Sequence, residues 1–274
     1  MKRMHQILKK NTMSKSFKML ASGCSFTEEN WAYDKHGVEN HAMWPQLIGE
    51  KLGFDQIINV GRGGYANTRL IRRAVNSIDE DTDLIVIGLT EIDRVEFKKI
   101  NLIFCDLAID KNFNEFSSKE DYEKYALNNY RLKATHDYVI NNLSYESLQK
   151  LIDEFFQSLI DFKRVCDDKN IPVIFVSMLT TNFEPRNRFA KLYNIDNEWT
   201  EKNFAKAILN SKHFDVVSDY NIMGWPFTNL LGGFSLDQFL SPDMRYSKTD
   251  FHPNAEGQKL IANKIYNFIK GKFK

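Results

Sequence analysis

Unbroken apolar runs, each short, punctuate the chain. The first lies in residues 18–27 and ends abruptly in small residues, with Ser25 just past its end. Residues 56–61, 83–90 and 171–179 repeat the pattern, and 83–90 is the clearest because its apolar residues run without alternation. A strand covered on both faces, as in a parallel sheet, reads this way. Residues 214–218 are the candidate fifth strand. Between these runs apolar residues recur at helical spacing. A helix is predicted over 44–52, stopped by Gly53, and another from near Thr68, with Leu70, Ile71, Ala74, Val75 and Ile78 on one face. Helices are further predicted over 119–142, 144–169, 200–211 and 258–270, while 95–110 takes no assignment. Strands alternating with helices argue for one doubly wound α/β domain with insertions at about 95–170 and 180–249.

Bulk properties narrow the classes. With 274 residues there is room for a substantial core. The net charge of +1, from 37 basic and 36 acidic residues, gives no reason to expect a nucleic-acid groove or an anionic membrane partner. No apolar run approaches the ~20 residues of a membrane span. Three cysteines, with no Cys-x-x-Cys and no Cys/His cluster, indicate neither a disulfide framework nor a zinc site and suit a reducing compartment. Residues 1–17 are basic without an apolar signal core and read as a flexible leader before a single domain over 18–274, so a cytoplasmic location is expected. The Lys-, Asn-, Phe- and Tyr-rich composition suits an AT-rich genome, of the bacterial or phage kind.

Ser25 stands just past the first strand, where an open α/β sheet gathers its chemistry. The polar and aromatic loop 26–45 behind it reads as wall or lid. The turn Gly61-Arg62-Gly63-Gly64 lies between a strand and a helix start. It lacks the lysine and spacing of a phosphate-binding P-loop, so its backbone N–H groups read better as an oxyanion hole. Near the far end, Asp250 and His252 share one turn before the last helix. There the imidazole can act as general base toward Ser25, with the carboxylate orienting it. Cys24 reads as a small buried residue, Asp93 and Arg94 as a surface pair in preference to Arg94 binding a substrate carboxylate, and Trp31, Trp44, Trp199 and Trp225 mostly as core.

Four stretches in order, Gly23-Cys24-Ser25-Phe26-Thr27, Asn59-Val60-Gly61-Arg62-Gly63-Gly64, Gly88-Leu89-Thr90-Glu91 and Asp250-Phe251-His252-Pro253-Asn254-Ala255-Glu256-Gly257, resemble the SGNH/GDSL hydrolase superfamily. The resemblance covers roughly residues 17–95 and 170–270. It implies a flavodoxin-like three-layer α/β/α sandwich around a mostly parallel five-stranded sheet, and ester hydrolysis through an acyl-enzyme without metal or organic cofactor. Ser25 matches the nucleophile, His252 the base and Asp250 its partner. Gly64 matches the oxyanion glycine, with Gly63 or Gly61 in that role if the turn is shifted. Thr90 falls where the family has its oxyanion Asn, with Asn67 as a substitute donor. Asp250 precedes His252 by two residues where the family pattern has three, which leaves either a reshaped turn or a Ser–His dyad. The expected substrate is a small-molecule or glycan ester with a small acyl group such as acetyl. Acyl transfer by the same residues, or a non-catalytic binding module, are the alternatives.

Overall fold

A computed structural model of the protein describes residues 16–29, 37, 41–97, 100–102, 138–248 and 250–272. The leader (but for its last two residues), most of the predicted helix 119–142, Trp31 and Cys105 lie outside the described residues. Five strands, β1 (Lys18–Gly23), β2 (Gln56–Asn59), β3 (Thr82–Leu89), β6 (Val173–Ser177) and β7 (Ile222–Met223), form one sheet in the order β2-β1-β3-β6-β7. Every neighbouring pair is parallel. Two further strands, β4 (Val95–Phe97) and β5 (Ile100–Leu102), make a separate antiparallel hairpin in the stretch that had no assignment.

Alternation along the central strands sorts the core into two layers. Leu20, Ile85, Ile87, Leu89, Val173 and Phe175 face one side. There they meet α2 (Asn67–Ser77), α3 (Tyr145–Asp168) and α5 (Glu201–Leu209) through Ile71, Ala74, Phe156, Leu159 and Phe204. Met19, Ala21, Leu84, Val86, Ile174 and Val176 face the other side. They pack on α1 (Trp44–Leu52) and the C-terminal helix α7 (Ala255–Lys272) through Trp44, Ile48, Ile261 and Ile265. The expected three-layer α/β/α arrangement is therefore present. With β3 in the middle, all eight of its residues are buried, which is why its sequence shows no polar alternation.

Local chemistry sets the element ends. Gly53 closes α1 in the left-handed conformation, φ 77°. Ser144 and Thr200 cap α3 and α5 by accepting from the backbone N–H groups of Ser147 and Asn203. Asn254 does the same for α7, its Oδ1 accepting from Glu256 and Gly257 N–H, so that helix starts at Ala255 and not at Gln258 as periodicity suggested.

Two strand expectations need correction. Residues 214–218 form a helix, α6 (Phe214–Ser218), and the fifth strand is the two-residue β7. Val217 is fully buried whereas its neighbour Val216 is half exposed, and Phe214, three residues before Val217, is packed against the same core cluster, a helical spacing. The strand read as buried at 56–61 is the edge strand β2, only partly covered, with Ile58 exposed. The remaining helix, α4 (Glu184–Tyr193), precedes α5. Among the described residues no helix is long and apolar enough to cross a membrane.

Candidate active site

Because the sheet is parallel, the turns after β1, β2 and β3 all lie along its carboxyl edge. The turn after β1 is tight: the Thr27 and Glu28 N–H groups both donate to the Cys24 carbonyl, at 2.8 and 3.1 Å. Thr27 is the pivot. Its side chain is fully buried against Gly23, Gly61 and Gly88, where an added Cβ would fall 2.2, 2.8 and 3.2 Å from a Thr27 side-chain atom. Trp44 Nε1 donates to Thr27 Oγ1 at 3.2 Å. Asn59 clasps the turns after β1 and β2 together, donating through Nδ2 to the Thr27 carbonyl at 2.6 Å and accepting from Gly61 N–H at 2.9 Å. Ser25, about nine-tenths buried, is held at the crest of this structure.

His252 reaches the same point from the other end of the chain. Its Nε2 lies 2.6 Å from Ser25 Oγ, and its Nδ1 lies 2.6 Å from Asp250 Oδ1. The same Asp250 oxygen accepts the backbone N–H of His252 at 3.0 Å. This second bond resolves the shortened spacing. A carboxylate two residues ahead closes an Asx-type turn on the imidazole's own backbone and still reaches the ring. The loop is fixed from outside by Arg245, which donates to the carbonyls of Phe251, Asp237 and Leu240 at 2.6, 2.7 and 3.3 Å. Tyr246 donates its N–H to the His252 carbonyl. Its phenol is pushed up to about 12, first by burial and then by the Asp250 carboxylate. Tyr246 also packs against His41, the described end of the loop after β1, whose imidazole burial holds below its usual range.

Gln258 escaped the sequence reading. It is fully buried on the first turns of α7 and donates through Nε2 to the Phe26 carbonyl at 3.1 Å. Its Oε1 accepts the Trp44 N–H at 2.9 Å. One amide thus joins the serine turn, the histidine helix and the start of α1. Its position four residues after a capping Asn was the available signal, and a buried partner for a polar residue cannot be seen in one dimension.

Gly63 is also in close contact with Ser25: a Cβ built on it would lie 3.3 Å from Ser25 Cβ. Its neighbour Gly64 takes the left-handed conformation, φ 74°. The Gly63 N–H donates to Glu28 Oε2 at 2.8 Å, and Glu28 Oε1 pairs with Arg62 at 2.7 Å. Asn67 stitches α2 to the end of β3. Its Oδ1 accepts the Thr90 N–H at 2.9 Å, and Nδ2 donates to the carbonyls of Thr90 and Glu91 at 3.2 and 3.4 Å. Thr90 is buried, with its hydroxyl donating to Glu91 at 3.0 Å. Both are thus held by neighbours in this structure. Asp93 and Arg94 are not a surface pair. Arg94 pairs with Glu91, while Asp93 is buried and pairs with Arg186 at 3.3 Å, whose guanidinium stacks 3.4 Å from the Trp199 ring centroid. Burial raises Asp93 to about 6 despite that cation. Cys24 is buried without a disulfide, and desolvation raises its thiol. Trp44 and Trp199 are fully buried, as core residues would be.

Fold and site together define a parallel α/β domain with serine, imidazole and carboxylate in one hydrogen-bonded chain at its carboxyl edge. Neither a protein-family model nor a curated protein matches the chain. Among solved structures, it is similar to the lipase Lip_vut3 from goat rumen metagenome, with 11% identity, TM-score 0.46, and 94% of this chain and 100% of that one covered. It is also similar to the psychrotrophic esterase EstA from Pseudoalteromonas sp., with 13% identity, TM-score 0.44, and 94% and 98% covered. A GDSL-like lipase from Bacteroides thetaiotaomicron VPI-5482 aligns at 14% identity and TM-score 0.39, over 95% and 91% of the two chains.

Proposed function

We propose that the protein is a serine ester hydrolase of the SGNH/GDSL kind, acting on a small-molecule or glycan ester with a short acyl group. The observation that carries this reading is the chain Asp250–His252–Ser25. Its two links are both 2.6 Å long, and the nucleophile is 227 residues from the base. Such an arrangement has no structural need that a simpler contact would not meet, and its chemistry is direct. His252 Nε2 accepts the Ser25 proton as Oγ bonds to the ester carbonyl carbon, and Asp250 holds the Nδ1–H tautomer and stabilises the imidazolium. The imidazolium returns the proton to the leaving alkoxide as the ester C–O bond breaks. Water then adds to the acyl-serine with His252 again as base, releasing the carboxylic acid and restoring Ser25. The oxyanion is held by backbone N–H groups of the serine turn and of the glycine turn at Gly63 and Gly64, where Gly63 lies against Ser25. The test is hydrolysis of p-nitrophenyl acetate by the native protein, Ser25→Ala and His252→Ala. The reading expects turnover by the native protein and loss of at least ~10³-fold in both variants. Turnover that survives Ser25→Ala would contradict it.

A further inference from the structure

The glycine turn beside Ser25 is not open in this structure. Gly63 is the glycine that lies against Ser25, a Cβ built on it falling 3.3 Å from Ser25 Cβ, so its peptide group borders the atoms on which an oxyanion would form. The same hypothetical Cβ falls 2.8 Å from Glu28 Oε2, and the Gly63 N–H is spent on that oxygen. A backbone N–H carries one hydrogen, and a carboxylate is a stronger acceptor than an ester carbonyl. The carboxylate is steadied by Arg62, which is more than half exposed, and Glu28 itself sits only three residues after the nucleophile. The Arg62 backbone N–H in turn donates to the Gly23 carbonyl at 2.8 Å, tying the pair to the serine turn.

We infer that the Gly63 N–H is an oxyanion donor with Glu28 as its resting occupant, and that turnover requires the Glu28 carboxylate to leave Gly63. This rests on the serine hydrolase reading above. Two properties of the site fit a displaceable occupant. Its anchor, the Arg62 side chain, is 57% exposed, so the ion pair that steadies Glu28 is screened by solvent and weak. The carboxylate also has the charge and acceptor chemistry of the oxyanion it precedes, and so satisfies the donor at the expense of reactivity toward simple esters. A substrate that offers Glu28 or Arg62 a polar group of its own, as a polyol or sugar hydroxyl does, would relieve the contact as it binds.

The experiment is the second-order rate of labelling by a fluorophosphonate, whose P=O oxygen takes the place of the oxyanion. Native protein would be compared with Glu28→Ala, Glu28→Gln and Arg62→Ala, with thermal unfolding of each recorded in parallel. Removing a charge-assisted hydrogen bond from the donor is expected to raise the labelling rate about tenfold in Glu28→Ala. A smaller rise is expected in Glu28→Gln, whose neutral amide oxygen still competes, and in Arg62→Ala, where Glu28 loses its anchor. Equal or slower labelling in Glu28→Ala with unchanged melting would overturn the inference while leaving the serine hydrolase reading intact. A variant that melts early is replaced in this comparison by Arg62→Ala, which keeps every glycine of the turn and Glu28 itself and must still rise. Absence of labelling in all four proteins would overturn both.

Discussion

Replacing Gln258 by Leu tests the claim that one buried amide ties the catalytic elements together. The side chain is fully buried and makes two hydrogen bonds, to the Phe26 carbonyl and from the Trp44 N–H, at 3.1 and 2.9 Å. Leucine is close to glutamine in volume, so the cavity term is small. The cost comes instead from the two backbone groups left buried without partners, at roughly 1–3 kcal/mol each, which sums to about 2–6 kcal/mol. The assay is urea unfolding at equilibrium, with the midpoint and slope compared between native and variant. A lower midpoint at constant slope is expected. Because Phe26 follows Ser25 directly, the variant should also label more slowly with a fluorophosphonate under conditions where it is fully folded. A change within ~0.5 kcal/mol would refute the reasoning, since that is the range of an ordinary surface substitution.

Three further outcomes follow from other contacts. Asp250→Asn keeps the size of the side chain but can present an amide donor to His252, so ester turnover should fall by at least ~10²-fold with little change in melting temperature, as pH-rate measurements beside unfolding scans would show. Gly23→Ala would place a methyl 2.2 Å from Thr27 Oγ1 and 3.1 Å from the Gly88 carbonyl. A loss near 3 kcal/mol, or about the upper end of overpacking penalties, is expected in chemical unfolding. Asp93, raised by burial to about 6, binds a proton more tightly folded than unfolded, where its value is 3.8. Its contribution to stability is therefore fully present below about pH 4 and is lost as pH rises through about 6, roughly 3 kcal/mol over that window. Asp93→Asn should remove this fall from the stability–pH curve, and an unchanged curve would contradict it.

Much of the fold was legible because burial on both faces writes itself into composition. The continuous runs at β1, β3 and β6 could only be interior strands, and Gly53 marked the end of α1. The fifth strand was not legible. Two residues, Ile222 and Met223, carry no period, whereas the apolar pair in 214–218 imitated a strand until Val216 was found exposed beside buried Val217. At the site, the convergence of Ser25, Asp250 and His252 was legible because a serine just after a strand and an Asp/His turn before the last helix fall on the same edge of a parallel sheet. Gln258, Glu28 and Arg245 were not, since each works through a partner distant in sequence or through a backbone atom. The misread Asp93–Arg94 pair shows the same limit. Adjacent opposite charges suggest each other, yet each is paired elsewhere, with Arg186 and Glu91.

The central claim is that His252 and Asp250 activate Ser25. Intact-mass analysis after fluorophosphonate treatment, with peptide mapping of the adduct, tests it most directly. The account predicts a single adduct on Ser25 of the native protein, none on Ser25→Ala, and strongly slowed labelling of His252→Ala. A folded native protein that takes up no label, or an adduct mapped to another residue, would contradict it.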